Sequence, residues 1–156
     1  MTIQRRAFLA LGLATAMLAG SLPAGKALAD SPDDGVKKLA LQVSDNDPGT
    51  MTKVLNVAAN FSKAMIEAGE DYKIEIVAFN AGLHLLRSDT SPVLERVQSF
   101  PTSVPNVQLS ACGNTMKGMT KKEGKAPPLI DAAVVVPAGV TRLMELDQMG
   151  YFVIRP

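Results

Sequence analysis

Apolar and polar residues follow two different periods along the chain, and together they predict strands that alternate with helices. Alternation of apolar and polar residues, or a short apolar run, is typical of a strand, whereas apolar residues at steps of three and four are typical of a helix. The clearest helix extends from Met51 to about Gly69, a residue type that commonly ends helices. The predicted strands are Lys37–Val43, Tyr72–Phe79, Val107–Ala111, Ile130–Val136 and Tyr151–Ile154.

The remaining helices are shorter and are bounded by capping residues and prolines. Ser91 and Pro92 suit the first positions of a helix, and Pro101 is predicted to end it. The strand Ile130–Val136 is nearly all apolar, which predicts that both of its faces are covered. The predicted helices are 51–69, 91–99, 114–123 and 138–149, with a short helical turn over 83–87.

This order of elements predicts an α/β fold, a flavodoxin-like three-layer sandwich with a mainly parallel five-stranded sheet. The expected strand order is 2-1-3-4-5, in which the first and third strands are neighbours. The loop Ser44–Thr50 follows strand one and Cys112 follows strand three, so both would line one crevice. The loop with His84 follows strand two at the same edge of the sheet, farther from the thiol.

An export signal is predicted at the start of the chain. Arg5 and Arg6 precede an apolar run that reaches Leu18, and Ala-Leu-Ala at 27–29 supplies a cleavage site of small residues. The paired arginines are typical of a twin-arginine signal, and a general secretory signal is the alternative. The apolar run is shorter than the roughly 20 residues of a membrane span. We therefore predict a periplasmic protein with a signal peptide over 1–29, a flexible tail over 30–36 and one α/β domain over 37–156.

The charge of the exported chain gives little support to nucleic-acid binding. Removal of the leader takes away three of the 16 basic residues and none of the 15 acidic ones, so the formal net charge changes from +1 to −2. Tryptophan is absent and aromatic residues make up 4% of the chain. Nucleic-acid-binding domains are instead basic and often present aromatic residues to the bases.

The single cysteine, Cys112, lies where the third strand meets the third helix. Gly113 permits a sharp turn, and Asn114 is predicted to be the N-cap of the helix. A thiol at this point would face unpaired N–H groups and the positive end of the helix dipole, and Lys117 would add a positive charge one turn on. The alternative is a buried cysteine that only closes the strand. A lone cysteine in an oxidising compartment cannot form an internal disulfide, so Cys112 is buried and inert, paired with another chain or a working thiol. Its position at the start of a helix favours the working thiol.

The other candidate residues carry weaker signals. His84 lies between two leucines, so a buried, hydrogen-bonded ring is the alternative to a role in proton transfer or ligand contact. The loop from Asp45 to Gly49 lacks the spacing of a calcium loop, and its polar residues are better explained by turn formation and helix capping. The sequence contains neither a histidine–cysteine cluster for zinc or copper nor a glycine-rich phosphate loop. We therefore predict no metal and no cofactor.

Three stretches of the sequence resemble the DsrE/DsrF-like family, including its exported members. They are Ala-Phe-Asn-Ala-Gly-Leu-His-Leu-Leu at 78–86, Ser-Ala-Cys-Gly-Asn-Thr-Met at 110–116 and Val-Pro-Ala-Gly-Val at 136–140, the last leading to Glu-Leu at 145–146 and Gly-Tyr at 150–151. The resemblance extends from about Lys37 to Pro156. It implies a flavodoxin-like fold, trimers, hexamers or mixed assemblies, and, in the sulfur-relay members, a cysteine that receives sulfane sulfur as a persulfide. Cys112 is the residue that matches this cysteine.

The leading hypothesis is an exported sulfur-relay protein that holds sulfane sulfur as a persulfide on Cys112. It would be a homo-oligomer, a trimer or hexamer, with a sulfur donor or acceptor protein as partner and without a complete sulfurtransferase active site of its own. The rival is a non-catalytic oligomeric binding or scaffold module in the periplasm, with a structural Cys112. An oxidoreductase would need a second redox group. The residues predicted to bind at the thiol are His84, Gly113, Asn114, Thr115 and Lys117.

Overall fold

Five parallel strands form one sheet at the centre of the computed structural model, which describes residues 35–156. The sheet has the order β4-β3-β2-β1-β5, and each of the four pairings between neighbours is parallel. The strands are β1 (Lys37–Val43), β2 (Tyr72–Ala78), β3 (Val107–Cys112), β4 (Ala133–Val136) and β5 (Phe152–Ile154).

Helices connect the strands at positions close to those predicted. The first begins after Asp47, whose side chain accepts a hydrogen bond from the Thr50 N–H at 2.6 Å. It ends at Gly69, which has the left-handed conformation that glycine adopts readily (φ 69°). The capping role predicted for the acidic loop is therefore confirmed for Asp47. The helices are α1 (Pro48–Ala68), a 3₁₀ helix (Asn80–Leu86), α2 (Leu94–Ser103), α3 (Gly113–Glu123) and α4 (Gly139–Gln148).

The predicted strand order 2-1-3-4-5 is wrong, because β2 and not β1 lies beside β3. From β1 to β4 the chain advances across the sheet in one direction. Right-handed crossovers then place α1, α2 and α3 on the same face. The last connection returns from β4 to the far edge beside β1, so α4 lies on the opposite face. The α/β class and the three layers are as predicted, with four helical segments on one side and one on the other.

The two faces of the sheet bury different sets of residues, as the alternation of side chains along a strand requires. Leu41, Ile76 and Leu109 point to the larger core, which also contains the apolar sides of α1, the 3₁₀ helix and α2. Their neighbours in sequence point to α4. That smaller core consists of Ala40, Val77, Phe79, Cys112, Leu143 and Leu146. Cys112 thus belongs to the thinner side of the sandwich, beneath a single helix.

Two local predictions are wrong for reasons that depend on neighbours distant in sequence. The fourth strand is shorter than Ile130–Val136 and is not covered on both faces, because it lies at the edge of the sheet. Val134 and Val135 are about half exposed there. Pro101 does not end the second helix but lies inside it, close to its C-terminus, where the loss of one N–H donor is tolerated.

The predicted signal peptide at 1–29 and most of the predicted tail lie outside the described residues. Over residues 35–156, none of the helices combines the length and the apolar character needed to cross a membrane.

Candidate functional site

The carboxyl ends of β3 and β4 form a topological switch point. After β3 the chain enters α3 on one face of the sheet, and after β4 it enters α4 on the other face. In open parallel sheets, ligands bind in the crevice that such diverging connections leave between two adjacent strands. Cys112 is the last residue of β3 and pairs with Val136, the last residue of β4, so the thiol lies at this crevice.

Two helix N-termini meet at the sulfur atom of Cys112. Cys112 itself is the N-cap of α3, and the backbone N–H of Gly139, the first residue of α4, donates a hydrogen bond to the sulfur at 3.2 Å. Helix N-termini carry partial positive charge and unpaired N–H groups, and both features stabilise an anion. A side chain at position 139 would have its Cβ 2.8 Å from the Cβ of Phe79. Glycine is therefore required for this approach of α4.

The environment of Cys112 lowers the pKa of its thiol. Burial, the largest single effect, favours the neutral form and raises the pKa. The donors near the sulfur, namely the hydroxyl and N–H of Thr115 and the N–H groups of Gly139 and Asn114, act in the opposite direction and outweigh it. Among them, the Gly139 N–H makes the hydrogen bond described above. The thiolate is the nucleophilic form of cysteine, so this arrangement is suited to a reactive thiol.

Thr115 connects the region of the thiol to the turn that follows β2. Its hydroxyl oxygen accepts a hydrogen bond from the N–H of Asn80 at 2.9 Å, and Asn80 begins the 3₁₀ helix that follows β2. Since a hydroxyl can accept and donate at once, Thr115 can hold Asn80 while it donates its proton to the sulfur. The turn after β2, the start of α3 and the start of α4 are thus joined at Cys112.

A cavity of about 730 Å³ opens beside the thiol. This volume lies within the range of small-molecule sites and far exceeds the space that one sulfur atom needs. Cys112 is only 5% exposed, but it forms part of the cavity wall. The wall consists of Asn80, Ala81, His84, Cys112, Asn114, Thr115, Gly118, Met119, Lys122, Glu123, Ala138, Gly139 and Val140.

His84 lines the same cavity as Cys112 and is half-buried. Its Nδ1 lies 2.7 Å from the hydroxyl oxygen of Thr90, an interaction that fixes the ring and leaves Nε2 as the atom for a ligand. Because β2 is adjacent to β3, the 3₁₀ helix with His84 follows the strand next to that of Cys112, and β1 does not lie between them as the predicted order has it.

Among the other predicted site residues, Asn114 and Thr115 line the cavity, whereas Gly113 and Lys117 do not. Asn114 lines the cavity but is not the N-cap of α3, a position that belongs to Cys112. Gly113 lies against the end of β4, where an added Cβ would be 3.1 Å from the carbonyl oxygen of Val136. Lys117 is exposed and is not part of the cavity wall, whereas Lys122 on another side of α3 is.

The predicted crevice between the Ser44–Thr50 loop and Cys112 is wrong, because β2 separates β1 from β3. No residue of that loop belongs to the wall of the cavity described above. Asn80 and Gly139 lie in the stretches 78–86 and 136–140 that carry the family resemblance, but the sequence does not show that Gly139 contacts the thiol or that Asn80 contacts Thr115. Nor does it mark Lys122 as part of the cavity wall. The predicted order has β4 beside β3, as observed, but it does not have β2 there, and the turn after β2 carries Asn80.

Glu123 in the cavity wall is paired with a buried cation, Arg87. The Arg87 side chain is 4% exposed and forms two-pronged hydrogen bonds with both Asp89 and Glu123 at 2.6–2.9 Å. Arg87 lowers the pKa of Asp89 to about 2 and lowers the pKa of Glu123 as well. Glu123 is therefore engaged by Arg87, and this cluster fixes the C-terminal end of α3 to the segment after the 3₁₀ helix.

Among residues 35–156, no group of three or more histidine, cysteine, aspartate or glutamate side chains is arranged to hold a metal ion.

Comparison with known proteins supports the fold and assigns no activity. No family model and no curated protein matches the chain. Among solved structures, it is similar to a protein of unknown function, MTH1491 from Methanobacterium thermoautotrophicum, with a TM-score of 0.61 and 26% sequence identity. The match covers 77% of this chain and 99% of the other. The α/β fold is thus shared with a known structure.

Proposed function

We propose that this protein is an exported sulfur carrier of the DsrE/DsrF-like type, which holds sulfane sulfur as a persulfide on Cys112. The observation that carries the proposal is the position of the sulfur between two helix N-termini, with the Gly139 N–H at 3.2 Å. The lowered pKa of the thiol and the adjacent cavity support it. The sequence resemblance at 78–86, 110–116 and 136–140 agrees with it.

The transfer is an exchange of sulfur between thiolates. The Cys112 thiolate attacks the outer sulfur of a donor persulfide, a new S–S bond forms on Cys112, and the bond to the donor breaks to release the donor thiolate. An acceptor thiolate then attacks the outer sulfur of the Cys112 persulfide and restores the Cys112 thiolate. Electrons balance in each step, so no second redox group is needed.

The donors at the site suit this exchange because the persulfide is itself an anion. In the persulfide, the negative charge lies on the outer sulfur, one atom farther from the protein than in the thiolate. The same N–H groups can stabilise this charge only if the site has room for the added sulfur atom. The cavity supplies that room, and Lys122 and His84 in its wall offer additional cationic or polar contacts. A small donor, or the end of a partner chain, can thus enter beside the thiol.

Intact-mass measurement tests the proposal. Native protein is mixed with glutathione persulfide, freed of excess donor and weighed, and the expected product carries the mass of one added sulfur atom. Because Cys112 is the only cysteine in the sequence, Cys112→Ser is a matched control and should gain none. Unmodified wild type, or equal loading of Cys112→Ser, would reject the carrier and favour a scaffold with a structural cysteine.

We also propose that the carrier acts as a homo-oligomer. Support comes from apolar side chains about half exposed or more on α4 and on the edge strand β4, namely Val134, Val135, Val140 and Met144. Such surface is typical of contacts between subunits. Light scattering of the mature chain should give a mass of several chains, and a monomer at micromolar concentration would contradict this part of the proposal.

A further inference from the structure

The buried carboxylate of Glu75 lies under α4, on β2, the strand adjacent to β3 and its thiol. The Glu75 side chain is 3% exposed, and its Oε1 accepts hydrogen bonds from the Ser110 hydroxyl at 2.6 Å and from the Arg142 Nε at 2.8 Å. Its Oε2 accepts a third from an Arg142 terminal nitrogen at 2.7 Å. Ser110 and Cys112 are on the same face of β3, roughly 7 Å apart along the strand.

Arg142 belongs to the first turn of α4, three residues after Gly139. The N-terminal turn of this helix is therefore held to the sheet at two points. At one, the Gly139 N–H meets the sulfur of Cys112, and at the other, the Arg142 guanidinium forms a two-pronged pair with Glu75. A guanidinium fork fixes both distance and orientation, which a single hydrogen bond does not.

We propose that Arg142 and Glu75 are positioning residues for Cys112, which hold α4 so that the Gly139 N–H stays in hydrogen-bonding contact with the sulfur. The inference rests on the proposed role of Cys112 as a working thiol. It adds that the reactivity of the thiol depends on an ion pair that does not touch it. The contact of Gly139 with Phe79 does not fix the position of α4 by itself. It limits how closely α4 approaches the sheet, but it does not prevent α4 from moving away.

The Arg142 side chain stays charged throughout any practical pH range. Its bonds to Glu75 raise the pKa of Arg142, and burial opposes this effect without reversing it. Glu145 is a second, more exposed partner of Arg142 at 3.1 Å. Substitution of Arg142 therefore removes its two-pronged contact with Glu75, whereas substitution of Glu145 leaves that contact in place.

Two variants that preserve the net charge of the pair separate the effect of the position of α4 from the effect of charge on the thiol. Arg142→Lys retains the positive charge and loses the fork. The double variant Glu75→Gln with Arg142→Met removes one charge of each sign. If the pair acted only through its electric field, Arg142→Lys would titrate close to the wild type because both charges remain, and the double variant would differ only by the small field of one removed ion pair. If it positions α4, both should raise the pKa of Cys112.

The measurement is the rate of alkylation of Cys112 by iodoacetamide as a function of pH in the folded proteins. Below the wild-type midpoint, we expect Arg142→Lys to react about threefold to tenfold more slowly, and the double variant about tenfold more slowly, which corresponds to a shift of up to roughly one pKa unit. Glu145→Gln is the matched control and should keep the wild-type profile. Circular dichroism establishes that each variant is folded.

The remaining charged groups around the cavity are His84 on the 3₁₀ helix and Lys122 and Glu123 on α3. They are the same in every variant, so differences between profiles report only the pair. Unchanged midpoints in both charge-preserving variants would overturn the inference, and so would a lowered melting temperature without a shift in midpoint, which indicates a purely structural role. Since no sulfur donor is used, this outcome is independent of whether Cys112 accepts sulfane sulfur.

Discussion

At Cys112, two opposing effects decide whether the thiol is reactive. Burial to 5% exposure would by itself produce an inert cysteine, the alternative that the local sequence leaves open. The donors that reverse this effect come from α3 and α4, and only those of α3 are close in sequence. Sequence alone therefore predicts the strand-to-helix position of the thiol but not its contact with the N–H of Gly139, the first residue of α4, which lies 27 residues farther along the chain.

The hydroxyl of Thr115 provides a prediction at this scale. Thr115→Val preserves the shape of the side chain and removes both its donor to Cys112 and its acceptor for the Asn80 N–H. Because a hydrogen bond to a charged group is worth about 1.5–3 kcal/mol, the pKa of Cys112 should rise by about one unit or more. Thr115→Ser, which keeps the hydroxyl, should titrate close to wild type. Equal midpoints for valine and serine would show that the hydroxyl does not act on the thiol.

At the scale of elements, the sequence predicts strands and helices well where the pattern is local. β1 and α3 have nearly the predicted bounds, and Gly69 ends the first helix as expected. The pattern fails where an element depends on its neighbours. The exposure of β4 follows from its place at the edge of the sheet, and hydropathy along the chain carries no information about which strand lies at an edge.

Two glycines near the cavity differ in how much room they have. A Cβ at Gly82 in the 3₁₀ helix would collide with the backbone carbonyl of Val43, which cannot move without shifting β1. Gly82→Ala should therefore cost about 1–3 kcal/mol of unfolding free energy through overpacking. Gly118 in α3 has open space around it, so Gly118→Ala should instead stabilise by about 0.5–1 kcal/mol. Urea unfolding monitored by circular dichroism measures both, and equal effects would contradict this difference in packing.

At the scale of the whole molecule, strand order determines where the site is formed. The chain advances from β1 to β4 and then returns, so the only reversal of direction places the connections after β3 and β4 on opposite faces. The donor from α4, the Gly139 N–H, depends on that reversal, whereas the donors of α3 follow Cys112 directly in the chain. The α/β class is evident from the alternation of elements, but the order is not. It is decided by contacts between segments far apart in sequence, and both orders satisfy the right-handed crossover rule.

The Arg87 cluster predicts how the whole molecule responds to acid. Its carboxylates have lowered pKa values, so the stability they contribute is fully present above their ordinary values of 3.8 and 4.5. That stability is lost as the pH falls towards about 2, the pKa of Asp89 in the folded protein. The double variant Asp89→Asn with Glu123→Gln should be less stable at neutral pH, because Arg87 remains buried without a countercharge, and should lose less on acidification. Thermal melts between neutral pH and pH 2 give the melting temperature as a function of pH for the wild type and the double variant. Parallel curves would contradict the role of the Arg87 cluster in acid sensitivity.

The most direct measurement is the pH dependence of iodoacetamide alkylation of Cys112 in the folded wild-type protein. We predict that the thiol reacts without unfolding, with a single midpoint below the value of about 8.5 for an ordinary cysteine. A thiol that reacts only after denaturation, or one with its midpoint at or above that value, would contradict a thiolate stabilised by the N-termini of α3 and α4.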